Sequence, residues 1–399
     1  MHIDTKHVIA QIQREDHDSW QLMQSLLNDL GGLAQEADRL GDMPEHLWGR
    51  VPVGLLNRMN LPVVHGGLPL TATAVRRCVV FEQVGRVCPG LPIGMPGPGL
   101  SMPPVFALGT PEQQSSYFAR FHDESRPVWG AFAITEPEAG SDATALRMSA
   151  RRDGDDYILN GNKCFITNGR RADAVVVFAT LDASKGRFGI RAFIVDKHTP
   201  GFSVDRCEDM MGLRASQLTA LSFQDCRVPA SSMLGHNGKR GPLIDAFTGA
   251  QSAWDYMRPA LSAVINGSCF GVLDAAREAV SGKDAGLSTL QAQVVQRDLK
   301  VFQARLESAR LLALRAAWRY DQGQRASLDA SMAKAFSSTL SMELGQYLSH
   351  HFALAEPGQR ARFDKFYRDA KAFDILEGTG DMQRLMISRA FDPTAEQAA

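Results

Sequence analysis

The feature that most constrains this chain is a change of hydrophobic period partway along it. Up to about residue 125, apolar side chains recur at three- and four-residue intervals, as in Trp20, Met23, Leu26, Leu27 and Leu30, which is the spacing of one helix face. From about Trp129 to Leu234 the pattern becomes strand-like. Short apolar or β-branched runs, Ala174 to Ala179 and Ala192 to Val195 among them, are separated by turn residues such as Pro200-Gly201. After Gly241 the helical spacing returns, and Val295, Leu299, Phe302, Leu306, Ala309, Ala313 and Ala316 keep one apolar stripe over several turns. The order is helical, then β, then helical, with no internal repeat and no βαβ alternation carrying a GxGxxG turn, so a Rossmann dehydrogenase is disfavoured. The pattern predicts an α+β, mainly α chain with a helical N-terminal domain (1–125), an antiparallel β-domain (126–240), a C-terminal helical bundle (241–392) and a frayed tail (393–399). Inside the β-region, Tyr157 to Thr167 reads as a hairpin turning on Asn160-Gly161.

Composition narrows the function. Lys plus Arg number 43 against 44 Asp plus Glu, so no positive field is available for nucleic acid or an anionic membrane. The apolar runs fall short of the roughly 20 residues a bilayer helix needs, and Met1-His2-Ile3-Asp4 does not have the charged-then-apolar pattern of a signal peptide. A cytoplasmic protein is expected. The six cysteines have no CxxC and no histidine at ligand spacing, so neither a metal site nor a disulfide framework is predicted. The Pro/Gly stretch from Pro89 to Pro104 resembles a phosphate cradle only superficially, because its prolines remove the backbone donors; a shaped apolar loop is the reading, with methionines such as Met95 that adapt to an irregular apolar cavity.

Three segments in order, Ala133-Ile-Thr-Glu-Pro-Glu-Ala-Gly-Ser-Asp-Ala-Thr-Ala145, Asn160-Gly-Asn-Lys-Cys-Phe-Ile-Thr-Asn-Gly169 and Asp374-Ile-Leu-Glu-Gly-Thr-Gly380, resemble the acyl-CoA dehydrogenase family. Met211-Gly-Leu-Arg-Ala-Ser216 and Trp254-Asp-Tyr-Met-Arg-Pro259 add to the resemblance, which spans essentially the whole chain. It implies a helical N-domain, a middle antiparallel β-barrel and a C-terminal four-helix bundle. It also implies FAD as cofactor, an acyl thioester of CoA or of a carrier protein as substrate, an electron-transfer acceptor, and a homodimer or homotetramer.

The chemistry so implied is α,β-dehydrogenation. An acyl α-proton is too weakly acidic for a carboxylate in water, so a base, a site for enolate-like charge and a flavin must act together. Glu377 matches the family's base, and Ile375 and Leu376 before it predict a desolvated carboxyl with a raised pKa. By position in the motifs, Phe132, Ile134, Thr135, Gly140, Ser141, Phe165, Ile166, Thr167 and Thr379 are implied to meet FAD. Ser141, Asp255, Arg258 and Gly378 are implied to meet substrate, with Arg258 toward the phosphorylated arm of the ligand. Taken alone, Ala-Gly-Ser-Asp is a turn, Phe165 on a strand is core packing and Arg258 before Pro259 is a solvated helix face.

Two family segments depart from the pattern. The Arg-x-Gln-Phe-Gly stretch that holds a neighbour's FAD pyrophosphate is replaced by Ser281-Gly-Lys-Asp-Ala-Gly-Leu287, with Lys283 or Arg277 as substitutes. The Gln and paired glycines before the last helices are replaced by His350-His-Phe-Ala-Leu-Ala-Glu356. These departures suggest a carrier-bound acyl group in secondary metabolism. They also leave two alternatives open: a flavin oxidase or monooxygenase on the same scaffold, and a flavin-free binding protein.

Overall fold

The computed structural model describes residues 4–236, 246–282 and 286–392. The N-terminal part comprises α1 (Thr5–Glu15), α2 (His17–Leu40), α3 (Val53–Arg58), α4 (Ala74–Val87), α5 (Gly90–Gly94), α6 (Met102–Leu108) and α7 (Pro111–Ala119). α2 buries Trp20, Met23, Leu26 and Leu30 as its spacing predicts, and it stops at Gly41, whose φ of 67° is the left-handed cap that glycine takes without a Cβ penalty. The Pro/Gly stretch breaks into α5, a 3-10 turn and α6. It is stitched to the first strand by Gly97 N donating to Val128 O (2.7 Å) and Gly130 N donating to Gly97 O (3.0 Å).

The middle part is a curled seven-stranded sheet: β1 (Gly130–Ala133), β2 (Ser149–Asp153), β3 (Asp156–Thr167), β4 (Ala174–Thr180), β5 (Ile190–Asp196), β6 (Phe202–Cys207) and β7 (Leu218–Pro229), in the order β1-β4-β2-β3-β7-β6 with β5 also on β4. Two expectations need correction. The sheet is mixed rather than antiparallel throughout, because β1 runs parallel to β4, with Gly130 opposite Ala174. Nor does the chain turn at Asn160-Gly161. β3 continues through it, and the irregularity is a register shift between Leu159 and Gly161 against β7. Asn160 locks that bulge side-on: its Oδ1 accepts from Asp225 N (2.8 Å), and its Nδ2 donates to the Asp225 carboxylate (3.2 Å). Gly161, at φ 148°, passes so close to Met148 that an added Cβ would lie 2.8 Å from the Met148 Cβ. The true hairpin joins β2 to β3 one step earlier, across Gly154-Asp155, where Gly154 has φ 63° and Asp153 pairs with Asp156.

The C-terminal part is α8 (Ala246–Ser281), α9 (Thr289–Asp321), α10 (Ser327–His351), α11 (Pro357–Ile375) and α12 (Gly380–Ala390). α8 is the central helix, packed against α4, α6, α9 and α10. It is long and apolar enough to cross a membrane by composition alone, yet 89% of its most apolar window is buried inside the protein. α9 buries Val295, Leu299, Leu306, Ala309, Ala313 and Ala316 of the predicted stripe, with Phe302 partly covered. Pro357 begins α11 after the break that Pro357-Gly358 predicts. The expected frayed tail, 393–399, lies outside the described residues. Of the cysteines, only Cys207 is exposed, and no group of metal-ligating side chains occurs among the described residues.

Candidate active site

The base candidate sits in a turn, not on a helix. α11 ends at Ile375, α12 starts at Gly380, and Glu377 lies between them with φ 54°, a left-handed conformation that costs a non-glycine residue free energy. Gly378 follows at φ 92°; a Cβ there would lie 2.6 Å from Gln383 Nε2. Side chains from three helices reach into this turn. Arg258 Nε of α8 and Gln383 Nε2 of α12 each donate to Glu377 O at 3.2 Å. Gln383 Nε2 also donates to Gly378 O (3.1 Å), which receives Lys334 Nζ of α10 as well (2.8 Å).

The Glu377 side chain is half-buried, and its Oε2 is buried and finds no hydrogen bond from any protein atom. Burial pushes the carboxyl up to about 7, against the opposing pull of the Arg258 and Lys334 charges. A carboxyl with one oxygen shielded and unpartnered, poised near neutral pH, can take a proton there, which is what a general base needs.

Arg258 is 7% exposed, its guanidinium lies 5.6 Å over the Trp254 ring, and it makes no ion pair among the described residues. Its Nε is turned to the turn that carries the base. Asp255 spends its two oxygens on Gln251 Nε2 (3.0 Å) and Ser327 Oγ (2.8 Å), which ties α8 to the start of α10. Thr379 caps α12 by accepting from Met382 N (3.3 Å), so its hydroxyl hydrogen remains available to donate elsewhere. The glutamine near the base is Gln383, two residues beyond Asp381, which is exposed and paired with Arg384.

The first two motif segments meet in the β-domain. Cys164 N donates to Thr135 O (3.0 Å), while the buried Lys163 Nζ donates to Ile134 O (3.0 Å) and to Glu136 Oε1 (2.7 Å). Glu136 in turn accepts from Arg147 N (2.6 Å) and Met148 N (2.9 Å), so the loop from Ile134 to Met148 hangs on one buried ion pair. Beside it, Phe165 stands in the β3 bulge at φ 57° with 59% of its surface exposed, while Cys164 and Ile166 on either side point inward. A large aromatic ring held out to solvent by a strained backbone fits the face of a planar cofactor. Gly140 and Ser141 are exposed, and a Cβ on Gly140 would meet no atom within 4 Å, so room for an external group exists there.

Thr135 and Thr167 are half-buried beside these residues. Ile166 gives its side chain, 2% exposed, to the sheet core and its carbonyl to Thr219 Oγ1 (2.9 Å). Ile134 likewise gives its side chain to the core and its carbonyl to Lys163, and Phe132 packs 5.1 Å from Phe178.

α8 joins the two halves of the site. Tyr256, Trp254 and Met257 pack in the same apolar cluster as Phe132, Ile134 and Met102, and the next residue, Arg258, reaches Glu377. Met102 of the Pro/Gly stretch therefore borders this region, whereas Met95 packs into the N-terminal core. The proposed pyrophosphate substitute Arg277 is committed to Asp274 (3.4 Å) and Gln303 (3.1 Å); Lys283 lies outside the described residues.

Three domain families match along the chain: acyl-CoA dehydrogenase N-terminal domain over 22–124, middle domain over 131–226 and C-terminal domain over 247–391. This chain belongs to the acyl-CoA dehydrogenase family. Its relatives are oxidoreductases acting on CH–CH groups. A cyclohex-1-ene-1-carbonyl-CoA dehydrogenase of Geobacter metallireducens is 34% identical over 366 residues, covering 90% of this chain and 92% of the relative. The butyryl-CoA dehydrogenase structure from Megasphaera elsdenii matches with a TM-score of 0.79 at 30% identity, over 94% of this chain and 98% of that one. The prolyl acyl carrier protein oxidase AnaB matches with a TM-score of 0.76 at 26% identity, over 93% and 98%. PigA, solved with FAD and proline, matches with a TM-score of 0.79 at 25% identity, over 94% and 97%.

Proposed function

We propose that this protein is an FAD-dependent dehydrogenase of an acyl thioester, with Glu377 as the base that removes the α-proton. The observation that carries the reading is the Glu377 carboxyl: its Oε2 buried and unpartnered, its pKa raised to about 7, and its turn, strained at Glu377, held by three side chains. Phe165 and the Gly140-Ser141 loop would hold FAD, which would supply the acceptor for the β-hydride. Lys163 and Glu136 fix that loop, Thr135, Thr167 and Thr379 offer hydroxyls toward it, and Arg258 holds the base while its charge favours the ionised carboxylate.

The family and its CoA-named relatives support a CoA thioester, and the likeness to a carrier-protein oxidase keeps a carrier-bound acyl group as the finer alternative. An electron-transfer acceptor and an assembly of two or four copies belong to the same reading. Exposed Phe336, Ile375 and Leu385 on the last three helices, with Phe391 just past the end of α12, support the assembly, and light scattering tests it.

The experiment is a screen of acyl-CoA against acyl-carrier thioesters with a dye acceptor, on protein whose flavin bands are first read by absorbance. Dye reduction with one thioester class is expected; colourless protein that no added FAD turns yellow overturns the reading in favour of a flavin-free binding protein. The oxidase reading, favoured by AnaB, predicts rapid oxygen consumption by the reduced protein instead.

A further inference from the structure

Lys334 is a lysine in a helix interior where the neighbours Ala330, Ser331, Ala333, Ser337 and Ser338 are small and buried. Its side chain is wholly inaccessible, and no carboxylate lies within ion-pair distance of it among the described residues. A buried ammonium without a counter-ion is costly, so its surroundings need an explanation. The partners it does have are carbonyls: Nζ donates to Asp374 O (3.0 Å) in the last turn of α11 and to Gly378 O (2.8 Å) just past the base. These two carbonyls bracket Glu377, and the cation also faces the negative end of the α11 dipole.

We propose that Lys334 is a positioning residue of the base: its ammonium clamps the turn on both sides of Glu377 and is one of two buried positive charges that let the carboxyl ionise. This inference rests on Glu377 being the base. The charged groups around Glu377 come from four helices. Arg258 approaches from α8, Lys334 from α10 and Asp374 from α11, while Asp381 and Arg384 on α12 are exposed and pair with each other at 3.1 Å. Asp374 turns its carboxylate to Ser338 Oγ (3.3 Å), against the start of α12. The local field at the base is therefore dominated by Arg258 and Lys334. Both pull the Glu377 carboxyl down, against the burial that raises it. Lys334 is itself drawn down to about 8 by burial, so it keeps most of its charge at pH 7.

A helix-capping role alone would need hydrogen bonds and not charge, and substitutions can separate the two. Lys334→Gln keeps an N–H donor and removes the charge, Lys334→Met removes both, and Lys334→Arg restores the charge. The readout is the titration of the Glu377 carboxyl band by infrared difference spectroscopy on the flavin-loaded protein, assigned through Glu377→Gln, with the pH profile of flavin reduction beside it. The midpoint near 7 is expected to rise by roughly one pH unit, a tenfold gain in proton affinity, in Lys334→Gln and Lys334→Met, and to return in Lys334→Arg. An unchanged midpoint in folded Lys334→Gln overturns the proposal, and that variant carries the test if Lys334→Met does not fold. Should Glu377→Gln still reduce flavin, the base assignment fails while the infrared midpoint still decides whether Lys334 acts on that carboxyl.

Discussion

Replacing Glu377 by Gln should make the protein more stable at alkaline pH, by an amount the structure sets. Burial raises the carboxyl from 4.5 to about 7, and at 1.36 kcal/mol per pH unit the ionised form costs the folded state about 3 kcal/mol. The sign follows from the direction of the shift. A carboxyl that is a weaker acid when folded binds its proton more tightly in the native state, so its contribution is present below pH 4.5 and is lost as pH rises to about 7. Glutamine keeps the shape and never ionises. Urea unfolding of both proteins between pH 4.5 and 8.5 should give curves whose difference is small at the acid end, opens between about 5 and 7, and levels off at about 3 kcal/mol in favour of the variant. A difference that stays flat with pH would mean that the carboxyl is solvated and that the argument from its burial is wrong.

Other consequences are checked more simply. Gly378→Ala forces a Cβ to within 2.6 Å of Gln383 Nε2 at φ 92°; it should cost about 1–3 kcal/mol by thermal unfolding and slow flavin reduction while flavin stays bound. Lys163→Met leaves Glu136 buried without its partner, and denaturant unfolding should register a loss of about 3–5 kcal/mol, part of which Glu136→Gln restores in the double variant. Phe165→Ala, at an exposed position, should change stability by no more than about 0.5 kcal/mol yet weaken FAD in a fluorescence titration. Flavin reduction by substrate should climb about tenfold per pH unit below pH 7 and flatten above it, because only the ionised base is active.

The helical–β–helical order was legible because burial obeys period: α2 and α9 bury the residues that their spacing picks out. Glu377 and Phe165 were legible through their motif settings; the apolar neighbours invoked for the Glu377 carboxyl do not supply its desolvation, because Ile375 is exposed, and no local pattern shows Phe165 held outward. What escaped was decided by contacts distant in sequence. Asn160-Gly161 has the local chemistry of a hairpin turn, but the Asn160 side chain finds Asp225, 65 residues away, and the strand continues. Of the six non-glycine residues with positive φ among the described residues, Phe165, Asn168, Leu213, Gln217 and Glu377 fall in or beside the motif segments, and no propensity reports strain of that kind. Lys334, Lys163 and Gln383 were missed as well. The available signal was a charged side chain at a core-facing helical or strand position, which is meaningful only once its partner is known.

Anaerobic mixing of flavin-loaded Glu377→Gln with the thioester found by the dye screen bears most directly on the central claim. Flavin bleaching should be slower than in the unaltered protein by roughly 10²- to 10⁴-fold, with FAD and thioester still bound. Bleaching at the unaltered rate would contradict it and place the proton-abstracting group elsewhere.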